Sequence, residues 1–265
     1  MVKVVATDLD GTLLRSDGSV SSRTRRALDL ARRAGARVVF VSARPPRGVG
    51  PIAAQTGGPG LAVCSNGAIV YDVAADAIVT ATTLEPGIAA GVMEVLAEAL
   101  PGVAFAAETG RGVLQQPGYG RVVPDDEPFQ RRVPDVCAAG EPIVKLLAWS
   151  AAHPLEDMFT AATAALDGLA EVTHSGSPGL LEISAPGVTK AGTLAALCER
   201  LGAGPEEVVA FGDMPNDLAM LAFAGAGYAM ANAHPAVLAA VEGRAPGNDE
   251  DGVAVVLEQI FDNTN

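Results

Sequence analysis

The sequence of 265 residues contains few cysteines, histidines, lysines and aromatic side chains. The three cysteines, Cys64, Cys137 and Cys198, are scattered and lack C-x-x-C spacing, which disfavours a disulfide framework or a zinc site and favours a reducing, cytoplasmic setting. The three histidines are equally dispersed, so we do not expect a histidine-based metal site. Aromatic residues make up 4% of a chain that is 49% hydrophobic, so alanine, valine and leucine must form most of the core. This composition suits an α/β protein.

Positive charge is also scarce, because the formal net charge is −13 at pH 7. A chain this acidic has no basic field to attract a phosphate backbone, so we expect no nucleic-acid partner. The N-terminal stretch MVKVVATD has no long apolar run of the secretory type. The segment Leu218–Val241 carries no formal charge, but Gly225, Gly227 and Pro235 interrupt it, so we interpret it as a helix, a short strand and a turn. We expect a soluble protein without membrane contact.

The start of the chain alternates between strand and helix patterns. An apolar run over Val2–Thr7 predicts a strand, and Ser21 or Ser22 can cap a helix that runs to about Ala34. A second strand is predicted over Arg37–Val41, followed by a Gly/Pro-rich loop over 48–60. Strand, helix and strand with short links form a βαβ unit, which predicts a parallel sheet in a Rossmann-like, three-layer α/β core.

The middle of the chain has a different character. Helices are predicted over 87–99 and 155–166, with short strands between them and a strand over 179–184. The α/β rhythm then returns with a helix over 190–201 and a strand over Val208–Phe211. We therefore predict a discontinuous core of residues 1–83 and 187–265, with an α+β domain of residues 84–186 inserted in it.

Polar side chains are concentrated where strands of the predicted core end. They are the pair Asp8 and Asp10, the hydroxyl of Ser42, Lys190 at a helix start, and the loop Gly212–Asp217. In a parallel sheet these strand ends meet at one edge, which is where α/β proteins bind ligands. One carboxylate could attack phosphorus while a second moves protons, and Mg²⁺ would make their crowding tolerable. Lysine, hydroxyl, amide and backbone N–H groups would hold the phosphoryl oxygens.

Each of these features also has an ordinary structural interpretation. Asp-x-Asp-Gly occurs in surface turns and calcium loops, although the glutamate that ends an EF-hand loop is replaced here by Ser19. Ser42 could be a turn or cap residue, and Asp213 and Asp217 could be first-turn helix acids. The order of all these features, and their common place at strand ends, favour one catalytic site.

The motifs resemble those of the haloacid dehalogenase-like hydrolase superfamily, and within it the Cof-type phosphatases with a large α/β cap. The resemblance covers essentially the whole chain. Four motifs carry it, namely DLDGTLL from Asp8, VFVSARP from Val39, VTKAGTL from Val188 and GDMPNDLAML from Gly212. Weaker similarity lies in SNGA, LEISAPGV, AMANA and NDEDGVA. The resemblance implies a Mg²⁺-dependent phosphatase that acts on small phosphorylated metabolites, with residues 84–186 as the cap that selects the substrate.

The resemblance also implies a role for each matched residue. Asp8 would be the nucleophile and a metal ligand, and Asp10 the general acid and base, with its backbone carbonyl on the metal. The remaining metal ligands would be Asp213 and, through water, Asp217. The phosphate would be bound by Leu9, Ser42, Ala43, Lys190 and Asn216. Here Ala43 replaces the glycine that is frequent in the family, and Met214-Pro215 replaces small or polar residues, but no catalytic group is lost.

Two alternative functions remain open at this point. Some sugar phosphomutases share the first motif and a comparable cap, and a regulatory protein could bind a phosphorylated ligand with only incidental activity. The second aspartate, Asp10, disfavours dehalogenases and cation pumps, which lack it. Within the cap, 108–120 and 174–177 are candidate substrate-lining segments that could equally be solvent-facing turns. The sequence does not indicate an oligomeric state.

Overall fold

The computed structural model describes residues 1–58 and 60–262, so Pro59 of the predicted loop and residues 263–265 of the predicted core lie outside the described residues. The chain separates into two compact units. The first unit is Met1–Thr80 together with the chain from Thr189 onward, and the second is Ala81–Val188.

Strands and helices alternate through most of the chain. The strands are β1 (Val4–Thr7), β2 (Arg37–Val41), β3 (Leu61–Cys64), β4 (Ile69–Asp72), β5 (Ala77–Ala81), β6 (Ala104–Glu108), β7 (Val113–Gln115), β8 (Gln130–Arg132), β9 (Lys145–Trp149), β10 (Glu171–Thr173), β11 (Leu180–Ser184), β12 (Val208–Gly212), β13 (Ala226–Met230) and β14 (Gly243–Ala245). The α-helices are α1 (Ser22–Arg33), α2 (Pro46–Gln55), α3 (Pro86–Ala99), α4 (Leu155–Ala165), α5 (Lys190–Arg200), α6 (Leu218–Phe223), α7 (Pro235–Ala240) and α8 (Gly252–Asp262).

The first unit is built on a sheet with the strand order β14-β13-β12-β1-β2-β3-β4-β5. The six strands from β14 to β3 are parallel, and β4 returns antiparallel to β3. Strand β1 lies in the middle, where Val4 pairs with Val208 on one side and with Arg37 on the other. All four β1 residues are buried, as expected for a strand covered on both faces. The predicted α/β core with a parallel sheet is confirmed.

The helices that flank this sheet have clear local signals. Helix α1 begins after Ser21, one of the two predicted caps, whose side chain accepts a hydrogen bond from the Thr24 N–H. Its apolar face packs against α8, while α5 packs against α6. Arg23 of α1 also forms a partly exposed ion pair with Glu258 of α8. Helices on a mostly parallel sheet give the three-layer arrangement.

The predicted loop over 48–60 is wrong in its first half, which forms helix α2. Pro46 occupies the first turn, where a missing N–H costs nothing. Val49, Ile52 and Ala53 are buried on one helical face, and that burial outweighs the backbone hydrogen bond lost at Pro51. Glycine and proline dominated the local pattern and obscured the i, i+3, i+4 spacing of the apolar residues.

The second unit contains a six-stranded sheet with the order β10-β11-β9-β6-β7-β8. Its neighbours are antiparallel except for β7 and β8. Helices α3 and α4 pack against each other, and α4 packs on β10 and β11. The two predicted helices of this region are confirmed to within a residue at each end.

None of the helices within the described ranges has both the length and the apolar character needed to cross a membrane. The uncharged segment Leu218–Val241 folds instead as α6, β13 and α7, with short connections between them.

Candidate active site

A buried ion-paired group lies at the carboxyl end of β1. Asp8 directly follows this strand, and its Oδ1 accepts a hydrogen bond from Lys190 Nζ at 2.7 Å. The same ammonium donates to Asp217 Oδ1, also at 2.7 Å. Lys190 is the first residue of α5, which Thr189 caps through a hydrogen bond to the Gly192 N–H. The end of β1, the start of α5 and the loop after β12 thus meet at these three side chains, although Asp8 and Lys190 are 182 residues apart in the sequence.

A third carboxylate, that of Asp213, joins this group. Oxygen atoms of Asp8, Asp213 and Asp217 lie within 4.8 Å of one another. Thr12 Oγ1 donates a hydrogen bond to Asp213 Oδ1 at 2.6 Å. Gly11 has φ +78°, and a Cβ at this position would lie 2.4 Å from Asp213 Oδ2. The loop after β1 therefore needs glycine at position 11, both for its backbone conformation and to let Asp213 approach.

Asp217 is fixed by its own loop as well as by Lys190. Its Oδ2 accepts hydrogen bonds from the backbone N–H groups of Asp213 (3.1 Å) and Met214 (3.0 Å). Gly212 packs so closely that a Cβ there would lie 2.5 Å from Asp217 Cβ. These contacts curl the loop after β12 around the carboxylate and fix the position of Asp213 next to it.

The electrostatics of this group are dominated by burial. Burial raises the pKa of Asp8 well above its usual range, although Lys190 opposes the effect. Burial also raises the pKa of Asp213 to about 7, against the hydrogen bond from Thr12. Burial alone would lower the pKa of Lys190, but Asp217 and Asp8 beside it raise that pKa above its ordinary value. Three carboxylates share one ammonium group, so the site carries surplus negative charge.

This donor set fits a divalent cation of the magnesium type. The three side chains offer only carboxylate oxygens, which hard cations prefer, and these oxygens lie close enough together to share one ion. Magnesium is commonly held by one or two carboxylates together with water and substrate phosphate. The residues present therefore fit the metal that the motifs predicted.

Asp10 lies apart from the buried carboxylates. Its side chain is 57% exposed and forms a two-point ion pair with Arg44, in which Nε and Nη2 each donate at 2.6 Å. Arg44 follows β2 and was not among the predicted site residues. Its place two residues after Ser42, at a strand end next to that of β1, was the signal that could have identified it.

The predicted phosphate-binding residues form a second set of contacts. Ser42 is buried, and its Oγ accepts a hydrogen bond from the Arg44 N–H while its carbonyl accepts one from the Asn66 N–H. Asn66 Oδ1 in turn accepts from Asn216 Nδ2 at 3.2 Å. Asn216 Oδ1 is buried without a hydrogen-bond partner in the described part of the chain; as an acceptor it cannot bind a phosphoryl oxygen, which only Nδ2 of this residue could do.

Two further residues, Leu9 and Ala43, are predicted to contribute through their backbone N–H groups alone. Leu9 is fully buried and continues the chain from Asp8, and Ala43 continues it from Ser42. Asn66, which joins Ser42 to Asn216, was noted only as part of the SNGA stretch and not as a site residue. Its positive φ of 57° marks an unusual backbone conformation for a residue other than glycine.

The fold and this site together define an α/β enzyme core in which a buried carboxylate, that of Asp8, follows a central strand of the mostly parallel sheet. Residues 5–257 match the family described as haloacid dehalogenase-like hydrolase, and the chain therefore belongs to that family. The resemblance drawn from the four motifs is confirmed.

Individual relatives agree with this assignment. Pyridoxal phosphate phosphatase YbhA of Escherichia coli is 27% identical over 95% of this chain and 96% of its own length. The 5-amino-6-(5-phospho-D-ribitylamino)uracil phosphatase YcsE of Bacillus subtilis is 44% identical, but the match spans only 33% of this chain and 34% of that protein. A crystal structure of a haloacid dehalogenase-like hydrolase from Bacteroides thetaiotaomicron superposes with a TM-score of 0.81 and 30% identity, covering 98% of this chain and 100% of the other.

Proposed function

We propose that the protein is a cytoplasmic, Mg²⁺-dependent phosphatase that hydrolyses small phosphate monoesters through an aspartyl-phosphate intermediate. The observation that carries this proposal is the position of Asp8, a buried carboxylate at the end of β1 that is held by Lys190 and flanked by Asp213 and Asp217. A carboxylate fixed in this way can serve as a nucleophile toward phosphorus.

Two displacement steps account for the reaction. In the first, an Asp8 oxygen forms a bond to phosphorus while the bond to the substrate oxygen breaks, and Asp10 gives its proton to the departing alcohol. In the second, water gives a proton to Asp10 and its oxygen bonds to phosphorus, which releases inorganic phosphate and restores the Asp8 carboxylate. The same Asp10 side chain is therefore acid in one step and base in the next.

The other residues hold the phosphoryl group and its charge. Lys190 and the Ser42 hydroxyl, with Asn216 and the backbone N–H groups of Leu9 and Ala43, would bind the phosphoryl oxygens. Asp8, Asp213, the Asp10 carbonyl and, through water, Asp217 would hold Mg²⁺, which when bound supplies positive charge to the phosphoryl oxygens and to the crowded carboxylates.

The substrate is assigned by class only. The relatives are named as phosphatases of pyridoxal phosphate and of a phosphorylated ribitylaminouracil. We extend to this chain what those names share, a small phosphorylated metabolite. We assign the choice among such substrates to residues 84–186, as the family resemblance implies.

Phosphate release from a panel of sugar phosphates, nucleotides and pyridoxal phosphate tests the proposal. We expect turnover with Mg²⁺, and a loss on the order of 10⁴-fold or more in Asp8→Asn, which removes the nucleophile. Asp76→Asn is a matched control, since Asp76 lies between β4 and β5 and accepts a hydrogen bond from Tyr71. Full activity in Asp8→Asn would contradict the mechanism. Positional isomers formed faster than free phosphate would indicate a phosphomutase instead.

A further inference from the structure

Arg44 and Asp10 form a two-point ion pair, which we call the Arg44–Asp10 clamp. Nε and Nη2 of the guanidinium each meet a different oxygen of the carboxylate, and both distances are 2.6 Å. Such a side-on, two-point contact fixes the rotation of the carboxylate as well as its position. A lysine ammonium is a single charged point and cannot fix that rotation.

Hydrogen bonds hold the backbone on both sides of the clamp. The Arg44 N–H donates to Ser42 Oγ at 3.1 Å, and the Arg44 carbonyl accepts from the Ser65 N–H at 2.9 Å. On the other side, the carbonyl of Gly11, next to Asp10, accepts a hydrogen bond from Asn232 Nδ2 at 2.8 Å. The loops after β1, β2, β3 and β13 thus cooperate to bring one arginine to one aspartate.

Stability does not account for this arrangement. The side chains of Arg44 and Asp10 are 39% and 57% exposed, and ion pairs this exposed contribute little to folding. Asp10 is also the residue to which the proposed mechanism assigns proton transfer. A contact that is nearly neutral for folding but fixes a proton-transfer group points to a role in the reaction.

We propose that Arg44 is a positioning residue that orients the Asp10 carboxylate for activation of water in the second step. This inference rests on the proposed phosphatase function. A carboxylate offers about four lone-pair positions, and the guanidinium occupies two of them. The others stay available to take the proton of the attacking water, as its oxygen bonds to phosphorus and the bond from phosphorus to Asp8 breaks. Arg44 therefore orients the Asp10 carboxylate and leaves lone pairs free to accept the proton of the attacking water.

The two steps can be separated with p-nitrophenyl phosphate, whose leaving group departs with little help from an acid. Rapid-quench measurements on the full chain with Mg²⁺ give the rate constants for formation and hydrolysis of the phosphoenzyme. In Arg44→Met we expect hydrolysis to slow by at least about tenfold while formation changes by less than about twofold. Phosphoenzyme then accumulates, and a burst of p-nitrophenol approaches one per site. Arg44→Lys should recover only part of the hydrolysis rate.

The control is Arg23→Met, which removes a similar two-point ion pair, with Glu258, away from the site. Its two rate constants should match those of the wild type, and both methionine variants should keep the wild-type melting temperature. Equal slowing of both steps in Arg44→Met, no slowing of either, or a higher KM with unchanged kcat would overturn the role of Arg44. Wild-type protein that turns over without Asp8-bound phosphate would overturn the phosphatase mechanism itself, and with it this inference.

Discussion

Two lysines of this chain are buried between pairs of carboxylates, one in each unit. In the first unit Lys190 donates to Asp8 and Asp217. In the second, Lys145 lies 2.6 Å from a Glu182 oxygen and 3.4 Å from a Glu108 oxygen. Burial alone would lower the pKa of Lys145, but the two glutamates raise it, as the two aspartates do for Lys190.

The two groups differ in where they lie and in what surrounds them. Lys145 lies in the interior of an antiparallel sheet, directly across from Glu108 on the neighbouring strand. Lys190 lies at strand ends, where loops converge and Asp213 adds a third carboxylate. Burial and ion pairing are common to both, so neither identifies a catalytic site. The third carboxylate, and the place at the carboxyl edge of a parallel sheet, distinguish the Lys190 group as the one that can hold a cation.

The largest expected effect tests whether the Lys145 group is structural. Lys145→Met leaves Glu108 and Glu182 buried without a cation, and we expect a loss of about 3–5 kcal/mol in the free energy of unfolding. The only tryptophan, Trp149, lies on the same strand as Lys145, so urea unfolding followed by its fluorescence reports on this sheet. The triple variant Lys145→Met/Glu108→Gln/Glu182→Gln should recover most of the loss, because no buried charge remains. An unchanged urea midpoint in Lys145→Met would contradict the interpretation.

The equivalent change in the first unit should act on catalysis. In Lys190→Met we expect phosphatase activity to fall by about 10²–10³-fold, because one donor to the developing phosphoryl charge is lost. In this variant the carboxylates of Asp8, Asp213 and Asp217 also lose the one ammonium in their group. Mg²⁺ should therefore raise the melting temperature of Lys190→Met more than that of the wild type. Lys145→Met serves as the control, since Mg²⁺ should not compensate its loss. Equal Mg²⁺ shifts in the two lysine variants would contradict the distinction between the two groups.

A smaller effect is expected from the hydrogen bond between Thr12 and Asp213. Thr12→Val should weaken Mg²⁺ binding by about tenfold, since partners that orient a ligating carboxylate contribute on this scale. Because the pKa of Asp213 is raised to about 7, protons compete with the metal, and affinity should fall as the pH is lowered through this value. Calorimetric titration with Mg²⁺ measures both effects. Thr56→Val, which removes a buried threonine hydrogen bond beyond α2, should leave the affinity unchanged.

The sequence was most informative where local signals agreed. Strand β2 was predicted with its observed limits, and the observed cap, Ser21, is one of the two serines that residue type indicated. Helix α2 was missed because Gly48, Gly50 and Pro51 weaken local propensity, while its stability comes from tertiary burial of one face.

In the site, too, some residues could be placed from the sequence and others could not. The short side chains at the ends of β1 and β12 could be placed from strand order, because the parallel sheet brings those ends together. The Arg44–Asp10 pair could not, because a long side chain can reach in several directions and its partner depends on loop geometry. The ion pairs of Lys145 could not be predicted from the sequence either, because Lys145 and Glu182 are 37 residues apart and become neighbours only through strand pairing.

The pairing of β1 with β12 has a consequence for synthesis of the chain. The central strand β1 is made well before its neighbour β12, which lies about 200 residues further along the chain, so the larger sheet cannot close until that stretch has been translated. The contiguous second unit contains all of its own strand partners and can fold while the first waits. Asp8 gains its partners Lys190, Asp213 and Asp217 only after a further 182 residues or more of chain have been made. The nascent chain therefore carries the Asp8 carboxylate for a long stretch of synthesis before the side chains that partner it in the folded protein have been made.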